Sequence, residues 1–255
     1  MNSIPSIQTT SEVALAKAFI QTTLKDTKRE NVIIAVSGGI DSATSLYLLN
    51  EALDKRNIFV VHLYYFKKSI EAFHAVVDPM KLPKENILLY SIKNVVDAIV
   101  QNVSAENDPV RTGNIMARVR MLHLFDLAKK HTALVCGTEN RSEYHLGYFT
   151  RFGDAASDFE LINHLYKTQV RQLASYLQVP QPILDAEPSA GLWEGQTDEK
   201  ELGFTYEEAD QILYLHFEEG KSAVEISEQG FENTDAVLSV VEKNSFKHKV
   251  PYVMG

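Results

Sequence analysis

Ser37-Gly38-Gly39-Ile40-Asp41-Ser42 brings two hydroxyls, two glycines and a carboxylate together within six residues. Glycines allow positive φ and let a ligand approach the backbone closely. A helix starting at this point would aim free N–H groups and its positive dipole end at that ligand. These are the parts of a phosphate cradle. Asp41 would repel phosphate unless a cation lay between them, so a bound Mg²⁺ belongs to this reading. No Lys follows the second glycine and the spacing is not Gly-x-Gly-x-x-Gly, so neither common nucleotide fingerprint applies. The plain alternative is a strand–glycine–helix turn capped by Asp41.

Three further stretches carry chemistry-bearing side chains. Gly137-Thr138-Glu139-Asn140-Arg141-Ser142-Glu143 starts with a Gly-Thr turn suited to facing a nucleotide. If Glu143 meets Asp41, two carboxylates plus phosphate oxygens would suit an octahedral Mg²⁺; an isolated solvated Glu is the commoner case. Tyr148 to Asp158, an aromatic, basic and acidic run followed by Leu165-Tyr166-Lys167, suits a loop lining a polar pocket. Glu187 to Glu199 holds the sole tryptophan, Trp193, and two glycines; such a long irregular segment reads as a lid or binding loop.

Elements that would position these stretches follow from hydrophobic patterning. Asn31–Val36 and Asn57–Tyr65 are short apolar runs of the buried-strand kind, and Asn86–Ile92 and Thr132–Cys136 make a third and a fourth strand. Residues 11–25 form an amphipathic helix with Ser11 as its cap. A helix follows the glycine loop, and another over 68–77 is broken by Asp78-Pro79. Val95–Val103 and Thr112–Lys130 are also helical, the latter sending Met116, Val119, Leu122, Leu124 and Leu127 toward a core. Residues 169–177, 205–218 and 232–243 add helices where the alternation fades. Strands alternating with helices imply an α/β fold, a doubly wound parallel β-sheet flanked by helices. Ligands in such sheets sit beyond the carboxyl ends of the strands, where Ser37–Ser42 and Gly137-Thr138 fall.

Composition narrows the function classes. The chain has 255 residues, 45% hydrophobic and 23% charged, with net charge −9, ordinary for a globular protein and opposed to wholesale nucleic-acid binding. One cysteine, Cys136, excludes an internal disulfide and a multi-thiolate metal site; at the end of a strand it is expected to be buried and inert. His62, inside the second strand, is expected to be a hydrogen-bonded core imidazole. No signal-type start and no apolar run near ~18 residues is present, so no membrane association and a cytoplasmic location are expected.

The hexapeptide resembles the Ser-Gly-Gly-x-Asp-Ser loop of the ATP pyrophosphatases. Together with Gly113-Asn114, Ala117-Arg118-Val119-Arg120-Met121, Gly137-Thr138-Glu139, Tyr148-Phe149-Thr150-Arg151-Phe152-Gly153-Asp154, Pro188 to Glu199 and Phe246-Lys247-His248-Lys249-Val250-Pro251, it makes the chain similar to the short, ammonia-dependent NAD synthetases. The resemblance implies one domain over 1–255, with an ATP pyrophosphatase core over about 11–185 and a lid and C-terminal helical extension over about 186–255. It implies amidation of deamido-NAD to NAD with ATP and ammonia through an adenylated intermediate, releasing AMP and pyrophosphate.

Residue by residue, the resemblance assigns Ser37, Gly38, Gly39, Asp41 and Ser42 to the pyrophosphate of ATP, with Thr138, Lys167 and Ser189 completing the ATP site. Asp41 and Glu143 would ligate Mg²⁺. Arg118, Arg151 and Asp158 would grip deamido-NAD, and Lys247-His248 would close over it. Asp158 is also the candidate proton acceptor for the ammonia step. The resemblance further implies a homodimer, no glutaminase extension, and room for a separate glutaminase partner. Leu63-Tyr64-Tyr65-Phe66-Lys67-Lys68 departs from the family by lacking Pro and Gly, so no adenine-side residue is assigned over 64–86. The rivals are another ATP pyrophosphatase, GMP-synthetase-like or tRNA-modifying, and a non-catalytic nucleotide-binding module.

Overall fold

The computed structural model describes residues 4–193 and 195–254. Glu194, part of the tryptophan-bearing motif, lies outside the described residues. In chain order the first half runs α1 (Thr9–Thr27), β1 (Asn31–Ala35), α2 (Ile40–Ala52), β2 (Ile58–Tyr64), α3 (Ser69–Val77), β3 (Ile87–Ser91), α4 (Lys93–Asn102), α5 (Pro109–His131) and β4 (Ala133–Gly137). The second half runs α6 (Arg141–Leu146), β5 (Phe159–Glu160), α7 (Lys167–Tyr176), α8 (Gln181–Leu184), α9 (Asp198–Leu202), α10 (Tyr206–Phe217), α11 (Ala223–Ser227) and α12 (Thr234–Asn244).

The five strands form one parallel sheet in the order β3-β2-β1-β4-β5. Val32 of β1 is level with Ile58 of β2 on one side and Leu134 of β4 on the other. Chain order reverses direction between β1 and β4, and a crevice opens at the carboxyl ends on either side of such a switch. Both chemistry-bearing turns, after Ala35 and after Gly137, emerge there.

Each sheet face is closed by its own apolar layer, because parallel strands must bury both sides. Ile20, Leu24, Val32, Ile34, Leu46, Leu49, Phe73 and Val170 fill one; Ile33, Val61, Val96, Met116, Leu127 and Val135 fill the other. A third cluster around Leu146, Tyr166, Tyr206, Ile212, Leu213 and Val237 belongs to the C-terminal helices. No described helix is long and apolar enough to cross a membrane.

The four strands and the main helices lie where patterning placed them; several details differ. Helix α1 begins two residues before Ser11, behind Gln8, so Ser11 lies inside the helix and caps nothing. Helix α5 begins at Pro109, not Thr112, because Asp108 accepts from Arg111 N at 2.9 Å and Pro109 occupies the first turn, a favoured N-terminal pair. Leu122 is 64% exposed, while Met116, Val119, Leu124 and Leu127 are buried. Two-residue β5 and six-residue α6 were not anticipated; neither is long enough to show a period.

His62 is a satisfied core imidazole: Nδ1 lies 2.7 Å from Val36 O and Nε2 2.9 Å from Ser69 Oγ, and burial holds its pKa below the ordinary value. Cys136 is buried and burial pushes its thiol up, so it is no nucleophile at neutral pH.

Candidate active site

The glycine loop joins β1 to α2, whose first residue is Ile40. Only Gly38 uses positive φ, at +93°, and a Cβ there would lie 2.6 Å from the Ala72 Cβ of α3. Gly39, at φ −85°, instead supplies the residue before the helix. The loop is held open by its own hydroxyls: Gly39 N donates to Ser37 Oγ at 3.1 Å, Ser37 N to Ser42 Oγ at 3.2 Å, and Ser42 Oγ to Gly39 O at 3.1 Å. This leaves the first turn of α2 facing the crevice with its unpaired N–H groups.

Asp41 meets residues from two distant segments. Its Oδ1 accepts from Asn140 Nδ2 at 3.0 Å and its Oδ2 from Lys167 Nζ at 2.5 Å. Lys167 Nζ also donates to Glu143 Oε1 at 3.1 Å. Asn140 and Glu143 form a capping box on α6, which satisfies two helix-end donors and fixes the Glu143 carboxylate beside α7. Lys167, the first residue of α7, is 2% exposed. Burial works against its charge, but Asp41 and Glu143 outweigh it and hold the ammonium's pKa above the ordinary value. Burial pushes the Glu143 carboxyl up, with Lys167 opposing.

Two carboxylates sharing one ammonium form a hard, all-oxygen donor set of the kind Mg²⁺ takes. Among the described residues no group of three or more His, Cys, Asp and Glu could hold a metal ion, so a cation at Asp41 and Glu143 would complete its shell with phosphate oxygens and water.

The loop over 148–158 and the lid both reach α5. Thr150 Oγ1 donates to Asn114 Oδ1 at 2.7 Å, and Gly153 approaches so closely that a Cβ would sit 3.0 Å from the Ala117 Cβ. Gly113 likewise makes room for Leu192 of the lid. Arg118 is exposed, and Arg151 lies 4.9 Å from the Phe246 ring. Lys247 Nζ donates to Gly147 O at 2.6 Å and Phe149 O at 3.0 Å, and His248 packs 4.4 Å from the Tyr144 ring. The lid is tied down by Asp198, which accepts from Ala190 N at 3.0 Å, Tyr148 OH at 3.3 Å and Tyr206 OH at 3.3 Å. Ser189 Oγ is turned to Gln196 O at 2.8 Å. Thr138 directly follows β4.

The structure does not bring Asp158 to Asp41, Glu143 and Lys167. Its N donates to Val135 O at 2.9 Å and its Oδ2 accepts from Val135 N at 2.7 Å, so it ties the start of β5 to β4. Two residues on, Glu160 lies at the strand end instead. Glu160 Oε2 accepts from Glu139 N at 3.1 Å, Oε1 accepts from Ser157 Oγ at 2.8 Å, and a Cβ on Gly137 would collide with this carboxylate. Asn140, Asp198 and Glu160 were missed from sequence; only Asn140 had a local signal, the Asn-x-x-Glu spacing of a capping box.

Burial pushes Glu139 up to about 9, with Glu160 adding, and pushes Glu160 up to about 7. Both values lie above the ordinary 4.5, so the folded chain binds protons that the unfolded chain has released. That stability is full below about pH 4.5 and is lost as pH rises through about 7 and then about 9. Glu160→Gln is therefore expected to raise the ligand-free melting temperature at about pH 8 by a few degrees and flatten its decline from about pH 5 upward. Identical melting profiles for the two proteins would show that Glu160 does not hold that proton.

Residues 12–251 match the NAD synthase family profile. An NH(3)-dependent NAD(+) synthetase of Fusobacterium nucleatum is 40% identical over 241 residues, covering 92% of each chain. The structure of an NMN synthetase from Francisella tularensis superposes with TM-score 0.83 at 29% identity, covering 98% of this chain and all of that one. An NH3-dependent NAD synthetase from Campylobacter jejuni gives TM-score 0.81 at 27% identity, with 98% and 100% coverage. With the profile spanning almost its entire length and a relative this similar over nine-tenths of it, the chain belongs to the NAD synthase family.

Proposed function

We propose that this chain amidates deamido-NAD to NAD, using ammonia and ATP. It is an enzyme of ATP-dependent NAD formation by family. The observation that carries the residue-level reading is the meeting of Asp41, Glu143 and Lys167 at the phosphate-type loop. In this reading Ser37, Gly38, Gly39 and Ser42 cradle the pyrophosphate end of ATP, and the N-terminus of α2 and Lys167 offset its charge. Thr138 and Ser189 complete the ATP site. Mg²⁺, held by Asp41 and Glu143, would neutralise charge on the leaving pyrophosphate.

Arg118, Arg151, Lys247 and His248 would grip deamido-NAD, none of them engaged in an ion pair with a carboxylate among the described residues. Asp158 would join them on deamido-NAD and is the candidate proton acceptor for the ammonia step. The nicotinate carboxylate attacks the α-phosphate and pyrophosphate leaves; ammonia then attacks the activated carbonyl and AMP leaves. With Cys136 buried and neutral, no protein nucleophile is used. Positioning and charge neutralisation account for the rate. The site is read as working in a homodimer in the cytoplasm; light scattering on a sized sample tests the dimer, and a clean monomer would refute it.

The Francisella tularensis NMN synthetase likeness favours a second reading, amidation of the mononucleotide. The deciding experiment supplies ATP, Mg²⁺ and ammonium with either deamido-NAD or nicotinate mononucleotide, and glutamine in place of ammonium as a control. Faster product from deamido-NAD with ammonium supports the first reading. Preference for the mononucleotide supports the second, and no product from either refutes both.

A further inference from the structure

Helix α5 carries a second arginine that the proposed site leaves without a task. Residues two apart on a helix point about 200° away from each other, so when Arg118 faces solvent Arg120 must face inward. Arg120 is half-buried between buried Val119 and the end of β2, where its Nε donates to Leu63 O at 3.1 Å. That is its one hydrogen bond among the described residues, and it makes no ion pair there; Asp154 is the acid whose field it feels. Burial works against its charge, with Asp154 opposing. A desolvated guanidinium without a bound carboxylate is costly, and the fork of unused donors is the geometry that recognises phosphate oxygens.

The location narrows which anion. Leu63 lies on β2, next to β1 in the sheet, and the two strands are still joined just before the glycine loop by Val36 N to Val61 O at 2.9 Å, two residues short of Leu63. Arg120 thus stands at the carboxyl end of the strand beside the glycine loop, whereas Arg151 lies on the loop that follows α6 and Lys247, from the C-terminal segment, is hydrogen-bonded to that loop. We propose that Arg120 is a further catalytic residue, its guanidinium hydrogen-bonding a non-bridging oxygen of the ATP α-phosphate during adenylation. This rests on the reading under Proposed function. In that step the nicotinate oxygen forms a bond to the α-phosphorus, the bond from that phosphorus to the bridging oxygen breaks, and pyrophosphate departs with the electron pair. Arg120 donates hydrogen bonds to the crowded phosphorus centre and transfers no proton.

The test uses Arg120→Gln, whose amide can still donate to Leu63 O but carries no charge, and Arg120→Lys, which restores the charge. Single-turnover pyrophosphate release with saturating deamido-NAD is measured beside ligand-free melting. The Gln variant is expected to release pyrophosphate ~10²–10³-fold more slowly, the loss typical of one charge-stabilising donor. The Lys variant is expected to recover part of the rate. Ligand-free melting of the Gln variant should be unchanged or raised, because an unpaired interior charge has been removed. A Gln variant as fast as an active wild type overturns the inference alone. Failure to fold, or equal slowing of both variants with a lowered melting temperature, assigns Arg120 a structural role and also overturns it. A defect confined to the KM for deamido-NAD overturns the phosphoryl assignment. A wild type that releases no pyrophosphate brings down the underlying reading and this inference with it.

Discussion

Asp41→Asn is expected to abolish pyrophosphate release while leaving the fold intact. The amide has the size of the carboxylate, and the side chain is not deeply buried, so packing is unchanged. Lys167 would still have Glu143 as its partner at 3.1 Å, so no interior charge is stranded and melting should shift little. What is lost is the anionic oxygen at the junction of the glycine loop, Asn140 and Lys167. An Asn there presents either a neutral oxygen or an N–H₂ group that opposes the ammonium. Loss of one fixed charge of this kind commonly costs ~10²–10³-fold in rate, and loss of a metal ligand in the same position adds to it. Quenched-flow pyrophosphate release is the measurement. Wild-type turnover by a folded Asp41→Asn protein would sink both the metal assignment and the role of the cluster.

Lys167→Met is expected to be costly for a different reason. The Met side chain fills the same channel beside the Tyr206 ring, which lies 5.2 Å from Nζ, but two carboxylates then face each other without a cation. Removing one partner of a buried ion pair costs about 3–5 kcal/mol, because the remaining charge stays desolvated and unpaired. The sign with pH follows. Burial already pushes the Glu143 carboxyl up, and the variant lacks the ammonium that opposes this, so the lost stability returns as acid protonates Glu143. Urea unfolding at neutral and mildly acidic pH should show a large deficit that narrows at the lower pH. A deficit under about 1 kcal/mol at neutral pH would place the pair among weak, solvent-screened bridges and refute this account. Arg is not an adequate substitute, since its planar fork spreads the charge that Lys167 places at one point between the two carboxylates.

These two expectations differ in how far they were legible beforehand. Asp41 stands in a motif whose local geometry is dictated by six consecutive residues, and the strand, turn and helix around it follow from short-range preferences. The same holds for the four longer strands, of which β3 at the sheet edge is half exposed, for His62 and for Cys136, each read from a short apolar run. Errors arose where a local signal was short or ambiguous. Ser11 was a good cap by type, yet the helix had already begun at Thr9. Leu122 kept helical spacing but fell on the solvent side of α5, which packs on the sheet along one stripe only. Asp158 and Glu160 show the limit most directly. Both are acids near β5, and only the register of β4 against β5, Cys136 with Phe159 and Gly137 with Glu160, decides which carboxylate lies at the strand end. Residues two apart share a face, so a shift of two residues would put Asp158 where Glu160 stands, and a two-residue strand carries no pattern that fixes the register.

Amino-acid order alone determined the parallel α/β sheet, the phosphate-type loop and the acidic, single-cysteine character that excludes thiolate chemistry. Those properties depend on backbone preferences and periodicities acting over a few residues. Tertiary structure decided which charges meet. Asp41 and Lys167 are 126 residues apart, and Asp41 and Asn140 are 99 apart; no local propensity joins them. They are brought together because both sheet faces must be covered, which sends α6 and α7 across the crevice. Once there, an unpaired interior charge is too costly to keep, so Lys167 takes Asp41 and Glu143 as partners, whereas Arg120 keeps donors that no ion pair among the described residues takes up.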